Sequence, residues 1–170
     1  MKYLASTLFI VILLSCVSNE NEDKIENDLT GNEVTYTLFQ GSDYNISGEV
    51  TIQETINKSS WVKIKLIGTQ SGLIHPTHLH FDDIAGDGDI AAVLNPVDGS
   101  DGVSETLLEF FTDSTPVTYN ELLQMESSIK VHLSETEPGK HTILAGGNIG
   151  TADFKSNPFG RVEISVCKSN

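Results

Sequence analysis

Between Trp61 and Ile67, Val62, Ile64 and Leu66 alternate with Lys63 and Lys65. This period of two constrains the chain more than any other feature. Successive strand residues point to opposite faces, so a run of this kind is a strand with one buried and one solvated side. The pattern recurs. Val34, Tyr36 and Leu38 share a face in 33–40, Val50 and Ile52 share one in 44–53, and Val162, Ile164 and Val166 share one in 160–167. Further candidate strands are 77–81, 89–94, 103–111, 128–133 and 141–149, separated at short intervals by clusters of Gly, Asp, Asn and Pro. Short strands at regular spacing predict an all-β Greek-key sandwich or barrel of about eight strands. One short helix interrupts the scheme. Thr118-Tyr119-Asn120-Glu121, followed by Leu122, Leu123 and Met125, has the form of a capping box opening an apolar-faced helix. That helix leads into the strand at 128–133.

Two of these strands hold most of the histidine. His75, His78 and His80 fall within His75-Pro76-Thr77-His78-Leu79-His80, and His132 falls in Ile129-Lys130-Val131-His132-Leu133. On a strand, His78 and His80 share one face, with Thr77, Leu79 and Phe81 on the other. In the second run Ile129, Val131 and Leu133 form the apolar face, which directs Lys130 and His132 outward. All three imidazoles are therefore expected on the solvent side of a sheet whose other side is core, able to converge on one ion. Neutral imidazole suits copper, zinc, iron and nickel, and three nitrogens with no thiolate in the motif lean toward copper or zinc. Affinity is expected to fall below the ordinary histidine pKa of roughly 6.5. A lone outward histidine is more simply a solvated polar residue, and His141, in a Pro-Gly-Lys-His turn, reads as loop polarity. The run Asp82-Asp83-Ile84-Ala85-Gly86-Asp87-Gly88-Asp89 is rich in carboxylates but lacks EF-hand spacing, and turn chemistry explains it without an ion.

The N-terminal segment carries an address. Lys2, the apolar run Leu8 to Leu14 and then Leu13-Leu14-Ser15-Cys16 resemble the signal peptide and lipobox of bacterial lipoproteins. The resemblance implies cleavage of residues 1–15, acylation of Cys16 and a membrane-anchored location in the bacterial cell envelope. Residues 16–32 are polar and mostly acidic, too poor in apolar surface to offset ordering, and are expected to form a tether to a single domain at 33–170. Loss of residues 1–15 removes Lys2 and no acid, turning the formal charge of −14 into −15. Such a charge argues against nucleic acid as a partner and favours cations. With Cys16 acylated, Cys167 has no partner in the chain for a disulfide.

Longer stretches are similar to known families. Gly72-Leu73-Ile74-His75-Pro76-Thr77-His78-Leu79-His80 resembles the copper strand of Cu/Zn superoxide dismutases, Gly-Leu-x-His-Gly-Phe-His-x-His. Asn95-Pro96, Val131-His132 and Gly147-Asn148-Ile149-Gly150 also resemble motifs of that family. The CHRD domain family is similar in overall layout across roughly residues 33–167, with an H-x-H strand and a later Val-His strand. These resemblances imply a Greek-key β-sandwich with His78, His80 and His132 as copper ligands and His75 as a neighbouring support. The departures weigh against turnover. The dismutases' bridging histidine would fall at Val93, no histidine lies between Phe81 and Asn120, and Thr151-Ala152-Asp153 stands where their active-site arginine follows Gly-Asn-x-Gly, with Arg161 too far on to replace it.

Three functions are consistent with this sequence. The first is an envelope lipoprotein whose domain holds copper or zinc without turnover, and so has no catalytic residues. The second is a copper-only, superoxide-dismutase-like oxidoreductase, and the third a metal-free adhesion or scaffold domain. Fold resemblance alone does not decide among them.

Overall fold

A computed structural model describes residues 28–152. Eight strands follow in chain order: β1 (Leu29–Gln40), β2 (Ser47–Thr55), β3 (Ser60–Ile67), β4 (Ile74–Phe81), β5 (Ile90–Asp98), β6 (Val103–Leu108), β7 (Glu126–His132) and β8 (Ile143–Gly150). Among the described residues one helix, α1 (Tyr119–Gln124), precedes β7, and a 3-10 turn, Gly139–His141, precedes β8. The strands pair antiparallel in the order β1-β2-β3-β6-β5-β4-β7-β8 and close into a barrel. Because β3 neighbours β6 rather than β4, the chain crosses over as a Greek key does. Among the described residues, closure leaves no open sheet edge to pair with another chain. The fold is the barrel form of the all-β class that the alternation predicts.

Alternation explains which side chains fill the barrel. Leu38, Val50, Ile52, Val62, Ile64, Leu79, Ile129, Val131, Leu144 and Ile149 are essentially inaccessible to solvent, while Lys63 and Lys65 remain outside. Each such large apolar side chain stabilises the fold by about 1.5–3 kcal/mol through burial. The last seam, β8 to β1, rests on only two Cα pairs, Phe39–Gly146 and Gln40–Ala145. Gly147 lets it close, since a Cβ there would overlap the Thr37 carbonyl oxygen.

The capping box forms as its spacing requires. Thr118 Oγ1 accepts from the Glu121 N–H at 3.3 Å, and Glu121 Oε2 accepts from the Thr118 N–H at 2.9 Å. Tyr119 and Leu122 are buried beneath the helix. Its exit places Glu126 at the start of β7, six residues before His132.

The first strand departs from expectation. Residues 29–32, assigned above to the tether, are the opening of β1, with Leu29 paired to Thr55. Hydrogen bonds replace apolar burial there. Thr30 Oγ1 and Asn32 Nδ2 both donate to Glu54 Oε2, at 2.9 and 2.7 Å. The expected signal peptide at 1–15, Cys16, the acidic stretch up to residue 27, the expected strand at 160–167, Arg161 and Cys167 lie outside the described residues.

Candidate metal centre

β4 lies between β5 and β7, and its register determines what meets on the barrel's outer face. His78 is the Cα partner of Val93 on β5 and of Lys130 on β7, and His80 is the partner of Ser128, which in turn faces Asn148 on β8. His132 lies two residues beyond Lys130 and so returns to the same face. The nitrogen ligand atoms of His78, His80 and His132 lie within 4.8 Å of one another. The ring centroids of His78 and His132 are 5.0 Å apart, and those of His78 and His80 are 5.9 Å apart. The sequence's three-histidine group is thus one cluster that could hold a metal ion.

The face is not the solvated surface that alternation predicts. His80 is 1% exposed, His132 is 5% exposed and His78 is half-buried, while Lys130, also expected to point into solvent, is fully buried. Loops cause the difference. The 82–89 loop folds back over the sheet and the segment after β7 covers its other end, leaving a cavity of about 510 Å³ lined by the trio with Asp87, Glu135 and His141 among others. Strand periodicity assigns faces but cannot say whether a loop roofs one of them.

Hydrogen bonds assign the ring tautomers. His80 Nδ1–H donates to the Gly88 carbonyl at 2.9 Å, and His132 Nδ1–H donates to the Lys140 carbonyl at 2.8 Å. In each ring the lone pair is therefore on Nε2. His132 Nε2 and His78 Nδ1 are buried with no hydrogen-bond partner. Buried polar atoms seldom lack one, so an unpartnered lone pair beside two other imidazoles has the chemistry of a ligand position. A carbonyl that fixes the opposite nitrogen is the usual outer support of a metal-binding histidine.

The electrostatics agree. Burial pushes His80 down to about 4, assisted by the nearby charge of Lys130 and by His132, while the Gly88 carbonyl and Asp89 act against it. Burial likewise pushes His132 down to about 4, opposed by the Lys140 carbonyl and reinforced by His78, Lys130 and His141. His78 is lowered by burial and then by His80. His80 and His132 are therefore neutral, as coordination requires, well below the pH of roughly 6.5 expected from ordinary histidines, and His78 is shifted in the same direction.

His75 is outside the trio. It is buried, and its Nδ1 lies 3.4 Å from the carbonyl of Leu133, the residue after His132. His141 ends the 3-10 turn at the cavity wall, with Nε2 2.9 Å from Glu137 Oε1. Its backbone neighbour Lys140 carries the carbonyl that orients His132, so this turn does more than supply loop polarity. In the 82–89 loop, Asp82 Oδ1 accepts from the Asp83 N–H and Asp83 Oδ1 from the Ala85 N–H, at 2.8 and 3.0 Å. These carboxylates do the work of turns. Together with Glu126 they form a second close acidic group, in which Asp82 is exposed and Asp83 and Glu126 are half-buried.

Sequence reasoning missed the burial of Lys130 and the supporting carbonyls of Gly88 and Lys140. Face assignment placed Lys130 beside the histidines, but backbone carbonyls leave no mark in side-chain patterning. Comparison with protein-family models, with curated proteins and with solved structures finds no match for this chain.

Proposed function

We propose that the domain is a metal-binding module that holds one copper or zinc ion through His78 Nδ1, His80 Nε2 and His132 Nε2, without turnover. The observation that carries this reading is the pair of buried, unpartnered ring nitrogens on His78 and His132, set beside a third ring whose Nδ1 is already committed. Three neutral nitrogens and no thiolate suit either metal. His75 would support the site by bearing on the backbone directly after His132. The resemblance to CHRD and superoxide-dismutase-like domains agrees with the barrel and with this ligand set, and is part of the proposal.

The case against turnover rests on what surrounds the trio. Val93, opposite His78 in the register, puts an exposed apolar side chain where a bridging imidazole would be needed. The acidic chain repels a small anion such as superoxide. Copper-loaded protein is expected to dismutate superoxide no faster than a small copper–histidine complex, with any residual rate rising as salt screens the charge. A rate near about 10⁹ M⁻¹s⁻¹ that falls with salt would instead establish the copper-dependent oxidoreductase.

We also propose that the chain is a lipoprotein of the bacterial cell envelope, anchored through Cys16. The support is the Leu13-Leu14-Ser15-Cys16 motif alone. Labelled fatty acid should enter the wild type and not Cys16→Ser, and equal labelling of both would refute the anchor.

A further inference from the structure

We propose that Lys130 and Asn148 are positioning residues for the histidine site: from the outer face of the barrel they hold the 82–89 loop so that Gly88 presents its carbonyl to His80. This inference rests on the metal-binding reading for its purpose, though not for its geometry.

The loop is held at successive points along its length. At its start, the Asp82 N–H donates to the Glu126 carbonyl at 2.9 Å. Asn148 Oδ1 accepts from the Ile84 N–H at 2.6 Å, while Asn148 Nδ2 donates to the Ala152 carbonyl at 3.0 Å. Both Ile84 and Asn148 are buried. Two residues on, Lys130 Nζ donates to the Gly86 carbonyl at 3.2 Å. The loop then closes on the end of β4, where the Phe81 N–H donates to the Asp89 carbonyl at 3.0 Å. Gly88 fits so tightly there that a Cβ would overlap the Phe81 carbonyl oxygen. Between the Lys130 bond and that closure lies the Gly88 carbonyl, the acceptor for His80.

The choice of residue supports a specific role. An ammonium with no solvent exposure is costly unless it is hydrogen-bonded, and an apolar side chain would cover the sheet at less cost. The Gly86 carbonyl is among the partners that compensate Lys130. Register adds a second point. Lys130 is opposite His78, and Asn148 is opposite Ser128 and so one strand further from His80. The residues that hold the loop thus share their rows across β4, β7 and β8 with two of the three proposed ligands, His78 and His80, while His132 lies two residues beyond Lys130 on β7. Outer-shell groups that orient a histidine typically alter metal affinity by about 10–100-fold when removed.

The test uses the full chain and two readouts, the His80 Nδ1–H proton in the nitrogen NMR spectrum of metal-free protein and the affinity for Zn(II) alone. Lys130→Met keeps the buried stem and removes the donor. It should lose the slowly exchanging His80 ring proton and weaken Zn(II) by about 10–100-fold. Asn148→Ala should do the same to a smaller degree, and decides the matter if Lys130→Met does not fold. Val50→Ala, in the core of β2, should lower thermal stability while leaving the ring proton and Zn(II) affinity unchanged, which separates positioning from general destabilisation. Wild-type ring signal and affinity in a folded Lys130→Met would overturn the proposal, as would equal losses in Val50→Ala. If the wild type binds no Zn(II) but the ring proton responds as described, the metal reading fails and the positioning of the loop stands.

Discussion

Truncating His80 to Ala is expected to abolish stoichiometric binding of copper or zinc in calorimetry, and His78→Ala and His132→Ala are expected to do the same. Each change deletes one of three nitrogens whose ligand atoms lie within 4.8 Å of one another. Losing a ligand should cost more than the roughly 100-fold upper figure for losing an outer-shell partner. His141→Ala is the control, because its side chain is at the cavity wall and pairs with Glu137 rather than joining the trio. It should change affinity little. The sequence alone suggests that these substitutions leave the metal-free fold untouched, but His80 and His132 are buried and hydrogen-bonded to loop carbonyls. Their truncation should therefore also lower stability, by about 1–3 kcal/mol each. Wild-type stoichiometry in any of the three ligand variants would contradict a three-nitrogen site.

Acid is expected to destabilise the metal-free protein at a higher pH than its carboxylates would. His80 and His132 titrate at about 4 in the folded state against 6.5 when unfolded, with burial the main cause in both. His78 is shifted in the same direction. Between those values the unfolded chain binds protons that the folded chain does not, so stability must fall as pH falls. The contribution is fully present above about 6.5 and is lost progressively toward 4, with an upper limit on the order of 3 kcal/mol per ring. Glu54 and Glu121, whose hydrogen bonds hold them below the usual carboxylate range, are lost only at lower pH. The window from 6.5 to 4.5 therefore belongs to the histidines. Denaturant titrations at pH 7.5, 6 and 5 should show a decline that Zn(II) opposes by binding the folded state. Stability flat across that window would mean that the rings are not held neutral. For the same reason metal binding should persist at pH 5.5, where ordinary histidines would already be losing it to protons.

Period-two alternation made most of the barrel legible, because core residues such as Val62, Ile64 and Leu66 must share a face whatever the loops do. The helix was legible for a local reason, since Thr118 and Glu121 close their capping box within four residues. The same alternation placed His78, His80 and His132 on one face, and adjacent strands then brought them together. What alternation could not reach is the roof. Burial of Lys130 and the depressed pKa values depend on where the 82–89 loop and the 3-10 turn fold, and hydrogen bonds to their backbone, from other backbone groups and from the Lys130 and Asn148 side chains, hold the loop in place. The start of β1 was missed because Thr30 and Asn32 pair with Glu54 across strands, an arrangement that looks in sequence like a polar tether.

The most direct test is metal analysis of the protein purified without a histidine tag, after loading with copper or zinc and removal of loosely held ion. A three-histidine centre predicts one equivalent of copper or zinc per chain in the wild type and none in the triple variant His78→Ala, His80→Ala, His132→Ala. A wild type that retains no more metal than the triple variant would contradict it, and would leave the barrel as a metal-free adhesion or scaffold domain.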